Sequence, residues 1–229
     1  MKGIFIEKKW CTVAICLCII CGCVVWTIFH EKAENAMFPM LKAVIVLDAG
    51  HGGWDPGKTG TNGVNEKELN LAVTEKLAEY LEMGGAEVIL TRPSDEALGN
   101  GKRTDMAERK RIANESGADI LVSIHQNAFP SAEAKGAQVF YHRDSEKGKL
   151  LAELLQESLK NRVDESNRRQ AKENSSYYIL KATKIPAVIV ECGFLSNKGE
   201  CALLNNPEYR LRIASVIAAA GMEWLVGCQ

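Results

Sequence analysis

Three observations predict that residues 42–229 form a single three-layer α/β domain, a mostly parallel central sheet flanked by helices. Short apolar runs recur along the chain, helical patterns separate them, and ionisable residues follow several of the runs directly. Runs that are apolar throughout fit strands covered on both faces, as in a parallel sheet. Strands alternating with helices imply βαβ units. A chain of 229 residues has room for one such core, at roughly 100–200 residues per domain. A hydrophobic content of 46% and a charged content of 25% exclude collagen-like, low-complexity and wholly disordered chains. A formal net charge of −1 gives no bulk electrostatic grip on nucleic acid, so none is expected as a partner.

The expected strands are Ala43–Leu47, Ala86–Leu90, Gly136–His142, Ile120–Ile124 and Ala187–Val190. Leu69, Val73, Leu77 and Leu81 recur every four residues and predict a helix that Gly84 and Gly85 close. A second helix is expected over Asp105–Ser116, ending at Gly117, and Leu150, Leu151, Leu154, Leu155 and Leu159 mark a third. Asn206-Pro207 reads as N-cap plus first-turn proline of a last helix running through Ile213, Ile217 and Trp224. The polar stretch Arg162–Ser176 reads as a loop or mobile insertion.

The N-terminus is a separate object. After a short segment, residues 1–10, the run Cys11–Phe29 contains no charged residue. A helix of about 19 residues spans about 28 Å, close to a bilayer core of roughly 30 Å. Lys2, Lys8 and Lys9 precede the run, so the positive-inside rule puts residues 1–10 in the cytoplasm and the domain outside. Residues 11–29 are thus expected to be a transmembrane anchor and residues 30–41 a linker. A cleaved signal peptide and a lipid-modified Cys23 are the alternatives. The first needs a shorter apolar region and a small-residue cleavage site; the second is at odds with the apolar residues that continue to Phe29. Five of the eight cysteines lie in this run as small hydrophobes. Cys192, Cys201 and Cys228 make no C-x-x-C pair, so neither a zinc knuckle nor a disulfide framework is indicated. A Cys192–Cys201 bridge stays open.

In open parallel sheets, sites form at the carboxyl ends of strands. The first strand runs out into Asp48-Ala49-Gly50-His51, Ile120–Ile124 leads directly into His125-Gln126-Asn127, and Ala187–Val190 leads directly into Glu191. One such histidine is unremarkable. Two His and one Glu arriving at one edge from three strands invite a metal. Catalytic zinc takes three protein ligands, often His₂Glu, and keeps a fourth position for water. Asn65-Glu66-Lys67-Glu68 supplies the third ligand. Asn65 with Glu68 fits a capping box, which leaves Glu66 at the first helical position free to turn toward the ion. Its alternative role is to complement the helix dipole. A carboxylate ending an apolar strand is costly unless paired or used. Glu191 is therefore expected as general base and acid, the alternative being an ion pair with Arg92 or Arg109. A serine nucleophile lacks its G-x-S-x-G elbow. Gly52 to Thr59 matches a phosphate loop in letters only, because Gly60, Asn62 and Gly63 forbid the helix that loop requires.

The segments VIVLDAGHGGWDPG, GVNEKELNLAV, VILTR, ERKRIAN, ILVSIHQNA and PAVIVECGFLSN together resemble the zinc-dependent N-acetylmuramoyl-L-alanine amidases of bacterial cell walls. They follow the family's order and span residues 42–229. Ala49 stands where the family pattern D-P-G-H-G-G has proline. The resemblance implies one zinc ion per chain, held by His51, Glu66 and His125, with Glu191 as catalytic acid and base. It implies hydrolysis of the bond between the lactyl group of N-acetylmuramic acid and L-alanine of the peptidoglycan stem. A peptidase cutting within the stem, and a non-catalytic wall-binding protein, are the alternatives.

Within the family, the chain's size, single N-terminal apolar segment and absence of wall-binding repeats resemble the sporulation amidases of the spore cortex, as does Asn167-Arg168-Arg169 followed by Tyr177–Leu180. That implies a step toward muramic-δ-lactam, which germination enzymes recognise. It also implies a domain between the forespore and mother-cell membranes, with room for an activating partner protein. Asn127, Arg168 and Arg169 are expected to bind substrate, the two arginines by gripping stem-peptide carboxylates.

Overall fold

The computed structural model describes residues 43–228. The anchor and linker expectations, on residues 1–41, lie outside them. Among the described residues no helix is long and apolar enough to cross a membrane.

Six strands form one sheet: β1 Val44–Ala49, β2 Glu87–Leu90, β3 Ile120–Asn127, β4 Gln138–Tyr141, β5 Lys172–Glu173 and β6 Ala187–Phe194. Among the described residues six helices accompany them: α1 Glu66–Met83, α2 Lys102–Glu115, α3 Glu146–Arg162, α4 Tyr178–Ala182, α5 Lys198–Asn205 and α6 Pro207–Gly227. The strand order is β2-β1-β3-β6-β4-β5. β2, β1, β3 and β6 are mutually parallel, while β4 runs antiparallel to β6 and parallel to β5. The sheet is thus mostly parallel, as its apolar runs predict.

Sequence cues locate the elements closely. Asn206 caps α6 by accepting from the Glu208 amide at 2.8 Å, with Pro207 in the first turn. α1 ends in a Schellman turn: Gly85 takes a φ of 88°, its amide donates to the Glu82 carbonyl, and the Ala86 amide donates to that of Leu81. At the other end of α1 the capping box is replaced by a side-chain contact, Asn65 Nδ2 donating to Glu68 Oε1 at 2.9 Å. α2 begins at Lys102, three residues before the expected start at Asp105. The stretch 162–176, expected as a loop or mobile insertion, contains β5 and an anchored loop before it. Asn167 in this loop is buried and donates to the Ala137 carbonyl at 2.9 Å. Cys192 and Cys201 are buried and unbridged.

The two faces of the sheet differ. α1, α3 and α6 cover one face with a large apolar cluster that includes Leu77, Leu81, Leu155, Ile213 and Ile217. α2 and α4 cover the other with a smaller one around Val46, Leu121, Phe140, Ile179 and Ile189. Register then sets the site. His125 on β3 stands directly beside Glu191 on β6, and Asp48 on β1 beside Ser123 on β3. The carboxyl ends of the parallel strands thereby deliver their polar residues to one row.

Candidate metal centre

The histidines and acids expected at the strand ends converge. The Glu66 carboxylate lies between two imidazoles, with Oε2 3.2 Å from His51 Nε2 and Oε1 2.9 Å from His125 Nδ1. One ligand atom from each of the three residues lies within 4.8 Å of the other two, a grouping able to hold a metal ion. Glu66 occupies the first position of α1 and is only 2% exposed. Its Oε2 also accepts from the Lys58 amide at 2.9 Å and its Oε1 from the Gln126 amide at 3.2 Å.

The first ligand is held in a strained backbone. Among the described residues, His51 alone has a positive φ without being glycine, at 62°. Two buried guanidinium groups fix the loop around it. Arg109 donates to the Asp48 carboxylate and to the carbonyls of Ala49 and His51, all within 2.6–2.8 Å. Arg92 donates to the carbonyls of Ala49 at 2.8 Å and Gly50 at 3.1 Å. Both arginines are therefore committed, and neither pairs with Glu191. Asp55, in the same loop, accepts from His51 Nδ1 at 2.9 Å and leaves Nε2 facing Glu66. Carboxylate–histidine contacts of this kind fix ring orientation in metal sites.

Two glycines make room for the other ligands. A Cβ at Gly50 would stand 2.2 Å from the His125 ring, and one at Gly57, whose φ is 68°, would stand 2.6 Å from Glu66 Oε2.

The electrostatics favour a cation. Burial raises the Glu66 carboxyl, but hydrogen bonds and charge from His125 and His51 outweigh it and hold it well below the usual carboxylate range. Desolvation disfavours His125 as a cation, yet the hydrogen bond and charge of Glu66 raise its pKa. A metal ion would occupy the same attractive field while leaving the imidazoles neutral. Glu191 is different. Burial pushes it up to about 7, with the Glu66 charge adding to the rise and the two imidazoles opposing it. Its Oε2 is buried with no hydrogen-bond partner. Such an atom is costly to keep, and the chemistry of a reacting site accounts for it.

These residues line a cleft of about 530 Å³, which Asn127 and Tyr177 also border. Arg168 and Arg169 lie outside it, along a separate groove with Lys135 and Asn167. Arg169 is committed there: its Nε donates to the Lys135 carbonyl at 2.7 Å, its Nη1 to Gln138 at 3.0 Å, and its guanidinium lies 4.5 Å above the Phe194 ring. Sequence reasoning passed over Asp48, Asp55, Arg92 and Arg109 as parts of the site. The available signal was a charged residue ending each of the patterns VIVLD and VILTR, and an acid four residues beyond His51.

The profile of one protein family, described as N-acetylmuramoyl-L-alanine amidase, matches residues 45–221. The chain belongs to this amidase family. Relatives agree. The germination-specific N-acetylmuramoyl-L-alanine amidase of Bacillus subtilis is 35% identical over 78% of both chains. The CwlD amidase from Clostridioides difficile, solved in complex with the GerS lipoprotein, is 41% identical. It superposes with a TM-score of 0.79, over 81% of this chain and all of that one. A second N-acetylmuramoyl-L-alanine amidase, from Clostridium difficile 630, superposes with a TM-score of 0.75 at 28% identity, over 82% of this chain and all of that one. The protein is accordingly an amidase acting on peptidoglycan, and the cleft at the strand ends is where its candidate machinery gathers.

Proposed function

We propose that this amidase is zinc-dependent and cuts the amide joining the lactyl group of N-acetylmuramic acid to L-alanine, with His51, Glu66 and His125 holding the ion and Glu191 moving the proton. The observation that carries the reading is a His-Glu-His group beside a buried carboxylate oxygen without a partner. Two imidazoles and one carboxylate match the donor set of catalytic zinc. When bound, zinc polarises the scissile carbonyl and lowers the pKa of water in its open position.

The protein's own groups do the rest. Asp55 keeps the proton of His51 on Nδ1, so that Nε2 is free to ligate. Arg92 and Arg109 hold the His51 loop in place before substrate arrives. Glu191 accepts a proton from the attacking water at its unpartnered Oε2. It then passes that proton to the alanine nitrogen as the C–N bond breaks, releasing a free amine and a lactyl carboxylate. Its elevated pKa suits both halves of that exchange. Asn127 borders the cleft beside the ion site and is assigned to substrate binding.

The setting we propose is the spore cortex, where removal of stem peptides is a step toward muramic-δ-lactam. Support comes from similarity to the germination-specific amidase of B. subtilis. Residues 11–29 serve as the membrane anchor, with the domain on the extracytoplasmic side. A lipoprotein partner is proposed by analogy with the C. difficile complex.

The test uses the full chain, zinc-loaded in detergent, on purified peptidoglycan, with newly exposed N-terminal amines labelled and identified. The expected result is new N-terminal alanine from the wild type. Glu191→Gln should lower turnover by about 10²–10⁴-fold while zinc content stays at one ion per chain. A different new amine overturns the assigned bond, and a variant that keeps its turnover overturns the role of Glu191.

A further inference from the structure

Resting on that reading, we infer that Lys58 and Lys102 form a carboxylate-reading pair that binds the free carboxylate of the acidic stem residue following L-alanine. Both line the cleft, Lys58 from the loop between β1 and α1, Lys102 from the start of α2. Both side chains are exposed. Among the described residues neither ammonium has an ion-pair or hydrogen-bond partner; Lys58 meets Glu66 through its backbone only, its amide donating to the carboxylate and its carbonyl accepting from the Glu66 amide.

The cleft's other charges are committed. Asp48 and Asp105 bind Arg109, Asp55 binds His51, and Glu66 bridges the two imidazoles. Glu191, the carboxylate left over, is buried among the reacting groups. Arg109 has every nitrogen engaged by the β1 loop and Asp105. Two unpaired cations in a cleft whose acids are already engaged point to an anionic group on the substrate.

The substrate supplies one close to the reacting bond. In the stem, L-alanine is followed by a γ-linked D-glutamyl residue, whose α-carboxyl remains as a carboxylate or is capped as a carboxamide. Both lysines lie toward the His51 side of the cleft: Lys58 follows Gly57, where a Cβ would stand against Glu66 and His51, and Lys102 opens α2, the helix whose Arg109 holds the His51 carbonyl. The leaving peptide therefore runs along the wall that carries the His51 loop. The partial positive charge at the start of α2 adds to the attraction. The arginines expected from sequence to take this role, Arg168 and Arg169, line another groove.

The test compares two synthetic N-acetylmuramoyl dipeptides, identical except for a carboxylate or a carboxamide on the second residue, with the full zinc-loaded chain. Wild type should show a KM about tenfold lower for the carboxylate, with kcat similar for both, because charge-assisted contacts away from the reacting atoms act on binding. Lys58→Gln and Lys102→Gln should each raise KM for the carboxylate substrate by about three- to tenfold and leave the carboxamide unaffected. Lys58→Arg should restore the preference, and Arg168→Gln should leave both values alone. Equal KM for the two substrates in the wild type, or equal losses on both in the lysine variants, overturns the inference. Failure of wild type to release alanine from either substrate overturns the proposed function itself, and the inference with it.

Discussion

The sheet is covered on both sides, but the two coverings are made of different material. The face under α1, α3 and α6 is mostly apolar: a large cluster of side chains fills it, with the neutral Asn70, Thr74 and Gln156 buried on its helices and Glu66 buried at the start of α1. The face under α2 and α4 carries a smaller apolar cluster. Next to it, around the carboxyl ends of the strands, lie the buried ionisable groups: Asp48, Asp105, Arg92, Arg109 and Glu191, with Glu66 reaching in from α1. Apolar burial is non-directional and stabilises roughly in proportion to area. Buried ions stabilise little in net terms, because desolvation offsets attraction, but removing one partner is severe. The first face therefore supplies most of the stability, and the second, together with Glu66 at the start of α1, fixes where the ligand atoms stand. The difference teaches that this amidase separates the two tasks across a single sheet.

The sharpest way to break that distinction is Arg109→Met. It leaves Asp48 and Asp105 buried without their cation and frees the carbonyl of His51, while that of Ala49 keeps its bond from Arg92. The expected loss is about 3–5 kcal/mol, read from the urea midpoint, together with weaker zinc binding as the His51 loop relaxes. Zinc binding of wild-type strength in the folded variant would mean that Arg92 alone holds the loop. Leu77→Ala probes the other face. Leu77 is fully buried in α1, and its truncation should cost about 3 kcal/mol with zinc affinity unchanged. A fall in zinc affinity there would erase the division of labour.

The smallest effect concerns acid. Burial raises Asp48, but Arg109, Ser123 and Thr91 outweigh it and hold the carboxyl at about 2, below its ordinary 3.8. A depressed folded value contributes stability that is fully present above pH 3.8 and lost as pH falls through 3.8 toward 2. The contribution is about 2 kcal/mol. Urea midpoints measured between pH 5 and 2 should fall with acid in the wild type, and less steeply in Asp48→Asn.

Legibility in the sequence followed the same division. The apolar runs of β1, β3 and β6 and the fourfold leucine spacing of α1 are local patterns, so they could be read directly. His51, His125 and Glu191 were legible because each follows a strand. The antiparallel course of β4 was not, since strand direction is set by partners and not by the run itself. α4 and α5, at five and eight residues, are too short to develop a periodic signal. The ionic network escaped because its members are far apart in sequence: Arg109 stands 61 residues from Asp48 and 58 from His51. A charged side chain on a helix reads locally as solvated surface, and only the fold reveals that Arg109 turns inward. The substrate role expected of Arg168 and Arg169 rested on a resemblance and on the chemistry of arginine, neither of which says which groove a loop borders.

Gly50 and Gly57 carry no chemistry, yet each holds open the volume that a ligand side chain fills, one beneath the His125 ring and one against Glu66. The metal centre is thus specified partly by atoms that are missing. A search for its essential positions by chemical type alone would overlook both. A methyl group at either would evict a ligand while leaving every donor residue in the sequence. In this chain, reserved space specifies the site along with the histidines and acids, and a variant that kept the donors but lost the gaps would keep the motif without the site.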